Sequence, residues 1–237
     1  MGKRIAQQAR GKGGPAWRAR SFAYAGQSRL RSETQQLITG QITNFIKSAG
    51  HSAPLMEVKY QDGQTALLPA PEHVRQGNQI TSGKGGEALP GNALYLSDIP
   101  EGTPIYNIEK QPGDGGKFCK TGGSTARLLS KTETHATIKL PSKKEKQINL
   151  KCRAIIGVIA GGGRLEKPLL KAGVRHHKKR SMNKNWPKPR AAAQNAVDHP
   201  YGNKRTSRKA KQKSTNKFAP PGRKVGKLWP RRTGRKK

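Results

Sequence analysis

The sequence predicts a mainly β protein: two small antiparallel barrels held between long, basic, irregular arms. Three observations predict it. The first is where the charge sits. The 237 residues hold 48 Lys and Arg against 13 Asp and Glu, a formal charge of +35. Residues 1–32 carry +8, residues 33–160 only +4, and residues 161–237 carry +23. The second is a run of short alternating segments in the middle, separated by Gly and Pro. The third is that neither end sustains a period, so neither can bury enough apolar surface to order itself alone.

Taken in order, residues 1–32 form a basic N-terminal arm with no acidic residue. "ITGQITNFI" (38–46) is the first strand candidate. "MEVKY" (56–60) alternates apolar and polar, "QDGQ" turns the chain at Asp62-Gly63, and "TALLPA" (65–70) returns it, a hairpin signal. "NQIT" (78–81), "NALYL" (92–96), "PIYNIE" (104–109) and "TARLLS" (125–130) follow. In "HATIKL", Ala136, Ile138 and Leu140 share a face. "PSKKEK" turns, and Ile148, Leu150 and Cys152 share a face of "QINLKC". This spacing means small barrels. The middle is longer than one needs, so it divides near Ser82–Gly86 into barrels at 33–83 and 84–160. Each is close to the lower size limit for independent folding. Residues 161–237 form the C-terminal extension. Within it "RLEKPLLKAG" (164–173) predicts a short helix ended by Gly173. Beyond His176, prolines 187, 189, 200, 220, 221 and 230 break any long helix.

This balance excludes several classes. Charges in such excess repel one another in a compact monomer, so the chain needs a polyanion. Nucleic acid supplies one, with counterions released at each phosphate contact. A membrane surface would want a basic helix with a broad apolar face, and none is present. The longest apolar run, Ala154 to Ala160, is too short to span a bilayer. The N-terminus lacks the apolar core of a secretory signal, which predicts a soluble intracellular protein. Cys119 and Cys152 have no CxxC partner, so reduced thiols are expected rather than a zinc site. All three tryptophans (Trp17, Trp186, Trp229) and Phe22, Tyr24, Tyr201 and Phe218 lie in or beside the arms. Aromatics among arginines can stack on unpaired bases while cations hold phosphate; packing against the barrels is the plainer use of each ring.

Candidate chemistry is sparse. Asp198 and His199 stand side by side in "PRAAAQNAVDHPYGNKR" (189–205). Adjacent residues do not face each other in helix or strand, and no nucleophile elbow accompanies them. A proline-fixed turn that aims the imidazole at a phosphate or 2′-hydroxyl is the better reading. "GNQITSGKGG" (77–86) fails as a phosphate loop. Its spacing is one residue long, and Gly85 replaces the magnesium-binding hydroxyl. It reads as a Gly-rich linker. "PGDGGKFCKTGGSTARLL" (112–129) is a glycine-rich loop flanked by Lys117, Lys120 and Arg127. It is either an RNA contact or simply a barrel loop. His176-His177, without carboxylates or thiols nearby, make a poor metal site.

Several of these segments together carry a resemblance. "NAVDHPYG" (195–202), "LLPAPEHVRQGNQITSG" (67–83), "LPGNALYLSDIPEGTPIYNIEKQPGDGGKFCKTGGSTARLL" (89–129), "PPGRKVG" (220–226) and "RRTGR" (231–235) resemble, in order, the ribosomal protein L-two (L2) family in its archaeal and eukaryotic wording. The resemblance implies an OB-like barrel, then an SH3-like barrel, with extended arms sunk in large-subunit ribosomal RNA. It implies a cytoplasmic, ribosomal scaffold near the peptidyl-transferase region, with a role in subunit association. Neighbouring ribosomal proteins and the small subunit would be its protein partners. It implies no enzyme activity and no small-molecule substrate. No cofactor is expected beyond magnesium that accompanies RNA. Members usually carry several glycines after His-Pro, whereas Tyr201-Gly202-Asn203-Lys204-Arg205 keeps one.

The expected RNA contacts in the N-terminal arm are Arg4, Arg10, Lys12, Trp17, Arg18 and Arg20. In the middle they are Lys117, Lys120 and Arg127. In the extension they are Arg175, His176, His177, Lys178, Lys179, Arg180, Lys184, Trp186, Arg190, Asn195, Asp198, His199, Arg205, Arg208, Arg223, Lys224, Arg231, Arg232 and Arg235. A free RNA chaperone or single-strand binder is the alternative function. An enzyme built on Asp198 and His199 is a second, separable by changing His199 to Ala.

Overall fold

The computed structural model describes residues 2–32, 36–203 and 215–226. The chain forms two compact units. One is Ser21–Pro168; the other joins Met1–Arg20 to Leu169–Lys237.

The Ser21–Pro168 unit is a ten-stranded, almost wholly antiparallel sheet. Its strands are β1 (Ile38–Ile46), β2 (Leu55–Tyr60), β3 (Thr65–Pro69), β4 (Gln79–Gly83), β5 (Ala93–Tyr95), β6 (Pro104–Tyr106), β7 (Ala126–Lys131), β8 (His135–Lys139), β9 (Glu145–Asn149) and β10 (Arg153–Ile156). The ladder runs β3-β2-β1-β4-β5-β10-β6-β7-β8-β9, with only β4 and β5 parallel. The Asp62-Gly63 turn forms as its residues dictate. Gly63 takes a φ of 80°, Tyr60 N–H donates to the Gln64 carbonyl at 2.9 Å, and Asp62 accepts from Gln64 N–H at 3.3 Å. "PSKKEK" closes the β8–β9 hairpin with Lys143 at φ 64°.

Two apolar cores lie along this sheet. Ile42, Met56, Val58, Leu68 and Ile80 build the first; Leu96, Ile99, Leu128, Ile138 and Ile148 build the second. The central strands serve both. Ala93, Tyr106 and Ile155 face the first core, while their neighbours Leu94, Ile105, Ala154 and Ile156 face the second. Successive side chains point to opposite faces of a strand. A wall between two cores therefore has no polar face, and β5 and β10 are buried at every position. That is why β10 escapes a search for alternation: after Arg153, Ala154, Ile155 and Ile156 are apolar without a break.

Three sequence expectations move. Leu150 to Cys152 turn rather than continue β9, with Cys152 N–H donating to the Asn149 carbonyl at 3.0 Å. Half of the supposed 77–86 linker, Gln79–Gly83, is strand β4, which takes in most of the strand candidate "NQIT"; Gly83 lets the backbone at Gln36 lie against it where a Cβ would collide. The helix expected at 164–173 does not form there. Pro168 lacks a donor and disfavours helix at the residue before it, so residues 162–167 turn. The helix, α2, begins instead at Ala172 and runs to Ser181, with Gly173 inside its first turn. A shorter helix, α1 (Ala6–Arg10), lies in the N-terminal segment of the same unit.

Burial leaves a measurable mark on two tyrosines. Burial pushes the Tyr60 phenol up to about 12, against the opposing Arg31 guanidinium that stacks 4.9 Å from its ring. Burial also drives Tyr106 well above the ordinary value. Between the unfolded value and the raised folded one, the folded chain binds more protons than the unfolded chain. Stability is therefore intact below pH 10 and falls as pH climbs towards 12. Tyr60 accounts for roughly 2–3 kcal/mol of that loss. An ultraviolet titration should show Tyr60 and Tyr106 ionising only as the sheet melts. All tyrosines ionising together in a folded protein would contradict it.

Candidate nucleic-acid interface

The unit that joins the two chain ends is built around α2. Arg175, His176, His177, Lys178, Lys179 and Arg180 follow one another along it, and none of its residues is buried. Such a helix has no apolar stripe with which to dock, and like charges such as Arg175 and Lys179, four apart, repel. Its C-terminal cations do complement the helix dipole. Its end is closed locally. Asn183 takes the left-handed conformation (φ 48°), its N–H donates to the Arg180 carbonyl at 3.0 Å, and Lys184 N–H donates to the Lys179 carbonyl at 2.8 Å. This is a Schellman closure with Asn in the place glycine usually takes.

Asn183 also ties the two chain ends together. Its side-chain amide donates to the carbonyls of Pro15 at 2.7 Å and Arg18 at 2.8 Å. Trp17 sits between those two residues, half-buried, with the Arg10 guanidinium 5.1 Å from its ring. Trp186, also half-buried, meets the edge of His176 at 6.1 Å and has the Arg175 guanidinium 6.0 Å away. A cleft of about 310 Å³ lies among Trp17, His176, Arg180, Asn183 and Trp186. Arg4, Lys12, Arg18 and Arg20 are exposed around the N-terminal segment, as are His177, Lys178, Arg180, Lys184 and Arg190 on the other; Lys179 is half-buried.

The Asp198-His199 stretch is a compact turn. Asp198 and His199 N–H groups both donate to the Asn195 carbonyl, at 3.0 and 3.1 Å, and Asn203 N–H donates to Gln194 at 2.9 Å. His199 Nδ1 accepts from Tyr201 N–H at 3.0 Å. That role as acceptor places the neutral imidazole's proton on Nε2, as a donor. Lys3 N–H donates to the Val197 carbonyl at 2.8 Å, so the N-terminus braces the turn. Gly202 is buried, and a Cβ there would run into the Asn195 carbonyl. Gly202→Ala is therefore expected to cost this turn about 1–3 kcal/mol. Faster amide exchange at Asp198, His199 and Asn203, with the sheet unchanged, is the readout. Unaltered exchange would remove the argument. Arg223 and Lys224 are exposed next to the buried Val225, while Arg205, Arg208, Arg231, Arg232 and Arg235 lie outside the described residues.

The sheet unit holds the remaining expected contacts. Lys117 and Arg127 are exposed. Lys120 is half-buried and donates to the carbonyls of Ser28 and Gly116. Burial, with Lys117 and Arg29 beside it, holds its ammonium below the ordinary value; Asp114 opposes them. The glycines of this loop are used inside the protein. At Gly123 (φ 76°) a Cβ would strike the Gly162 backbone. Arg29 and His51 line a pocket with Lys117 and Lys120, Asn183 lines the cleft with Arg180 and Lys184, and sequence reasoning passed over all three. Only Asn183 offered a signal, an asparagine just past the basic run Arg175–Arg180.

Among the described residues no three His, Cys, Asp or Glu side chains gather as a metal site, and no helix is long and apolar enough to cross a membrane. Residues 89–220 match the family model described as "Ribosomal Proteins L2, C-terminal domain". The chain is similar to the protein named large ribosomal subunit protein uL2 from Natronomonas pharaonis, 45% identical over 99% of this chain and 97% of the relative. The uL2 proteins of Methanothermobacter thermautotrophicus and Methanococcus vannielii are 42% and 44% identical, each over the full length of both chains.

Proposed function

Because this chain belongs to the ribosomal protein L2 family, we propose that it is a structural constituent of the large ribosomal subunit, working in the cytoplasm as part of the ribosome. It binds large-subunit ribosomal RNA, supports the peptidyl-transferase region, and contributes to subunit assembly and association. Neighbouring ribosomal proteins and the small subunit are its protein partners.

One observation carries the RNA reading. Residues 1–20 and 169–237 hold 29 Lys and Arg against a single acid, Asp198. A helix that bears six successive basic or imidazole side chains, and buries none of them, gains most from a surrounding polyanion. The half-buried tryptophans add stacking surfaces beside those cations. The two cores of the sheet supply a rigid body that such arms can anchor. His199 acts in this reading as an Nε2–H donor to phosphate or ribose, held in its turn by Tyr201 N–H, with no catalytic proton to carry.

The test is removal of residues 175–237, followed by measurement of incorporation into large subunits. Loss of incorporation, or subunits that stall in assembly, is expected. Normal incorporation into fully active subunits would refute the role given to the extension.

A further inference from the structure

We propose that the cleft between Trp17 and Trp186 captures one unpaired RNA base. This inference rests on the RNA-binding reading above and names what that surface recognises.

Four features of the cleft argue for a base. Its volume, about 310 Å³, is at the small end of ligand pockets, so it admits one ring system and not a helix. Its walls are π surfaces: two indoles and the edge of His176, 6.1 Å from Trp186. A phosphate has no face to offer these rings, whereas every base has one. Cations flank these rings: Arg180 and Lys184 line the cleft itself. A second groove, about 570 Å³, shares Trp17 and Trp186 but is lined by Arg10, Arg175, Lys179 and Lys188. That groove suits the phosphates on either side of the captured nucleotide. The fourth feature is preorganisation. Asn183 bonds to the backbone on both sides of Trp17 while its own left-handed turn ends the helix that leads to Trp186. The walls are therefore set before the ligand arrives, which reduces the ordering cost of binding.

A base inside a duplex cannot reach such a cleft; a bulged or looped-out one can. An acidic peptide would satisfy the cations but leave the indole faces unused.

The test uses the full-length chain with Trp229→Phe, which leaves Trp17 and Trp186 as its only indoles. Indole fluorescence and binding are followed against a fully paired RNA hairpin, the same hairpin with one bulged purine, inorganic phosphate, and poly-glutamate. The bulged hairpin should quench the indoles and bind about tenfold more tightly than the paired one. Trp186→Leu should abolish that preference, and Trp186→Phe should retain it. Equal affinity for the two hairpins, equal quenching by phosphate or poly-glutamate, or a preference that survives Trp17→Leu with Trp186→Leu would each overturn the proposal. Failure to bind either hairpin would instead sink the RNA reading on which it stands.

Discussion

Glu109→Gln is expected to lower the unfolding free energy by about 3–5 kcal/mol, the cost of leaving a buried charge without its partner. Glu109 and Arg153 form an ion pair at 2.8 Å with side chains 0% and 2% exposed. The carboxylate does more than balance the guanidinium. Oε2 accepts the Arg153 backbone N–H at 2.9 Å, and Oε1 accepts Gly115 N–H at 3.2 Å. One side chain thus holds the segment after β6, the start of β10 and the glycine-rich loop. Glutamine keeps the shape but removes the charge, so Arg153 stays buried and uncompensated. Changing both residues to Met should recover much of the loss, because the costly desolvation disappears with the pair. Urea unfolding followed by far-ultraviolet circular dichroism measures each variant, and the double-mutant cycle isolates the pair. A change within about 0.5 kcal/mol, the usual size for a surface substitution, would show that the pair is not buried as described.

The affinity for RNA is expected to collapse with salt. A protein that neutralises six to ten phosphates loses on the order of 10³–10⁵ in affinity between about 50 and 200 mM salt. Exposed cations on the unit that joins the chain ends exceed that number. Each neutralised phosphate contributes about 0.7–0.9 to the slope of log affinity against log salt. Changing Arg175, Lys178, Lys179 and Arg180 together to Gln should therefore flatten the slope by roughly 3. Anisotropy titrations with a labelled RNA at several salt concentrations read this directly. A slope unchanged by the fourfold substitution would mean that α2 does not face phosphate. Circular dichroism guards against simple loss of the helix, which glutamine is well suited to keep.

Much of the fold was legible because its signals are local. Alternation marked β2 and β8, and Asp62-Gly63 marked a turn, since period and turn chemistry need only neighbouring residues. β10 was not legible. Ala154, Ile155 and Ile156 face alternate cores, and three apolar residues in a row say nothing about which partners bury them. Helix α2 was displaced in the reading because its cations gave no apolar stripe to follow, while "LLKAG" offered a false one. At the candidate interface, composition pointed to Trp17, Trp186 and the arginines. It could not reveal that they lie around one cleft, because the contact between Asn183 and Pro15 spans 168 residues.

The sequence by itself determined the β class, the charge excess at both ends and the His199 turn, all of which follow from composition or from contacts within a few residues. Only the tertiary structure decided that two cores share one wall, that Glu109 and Arg153 pair inside it, and that Trp17 and Trp186 line a common cleft. Each of those depends on which distant segments lie side by side. That is settled by burying apolar surface and satisfying polar groups across the whole chain, and no local pattern records it.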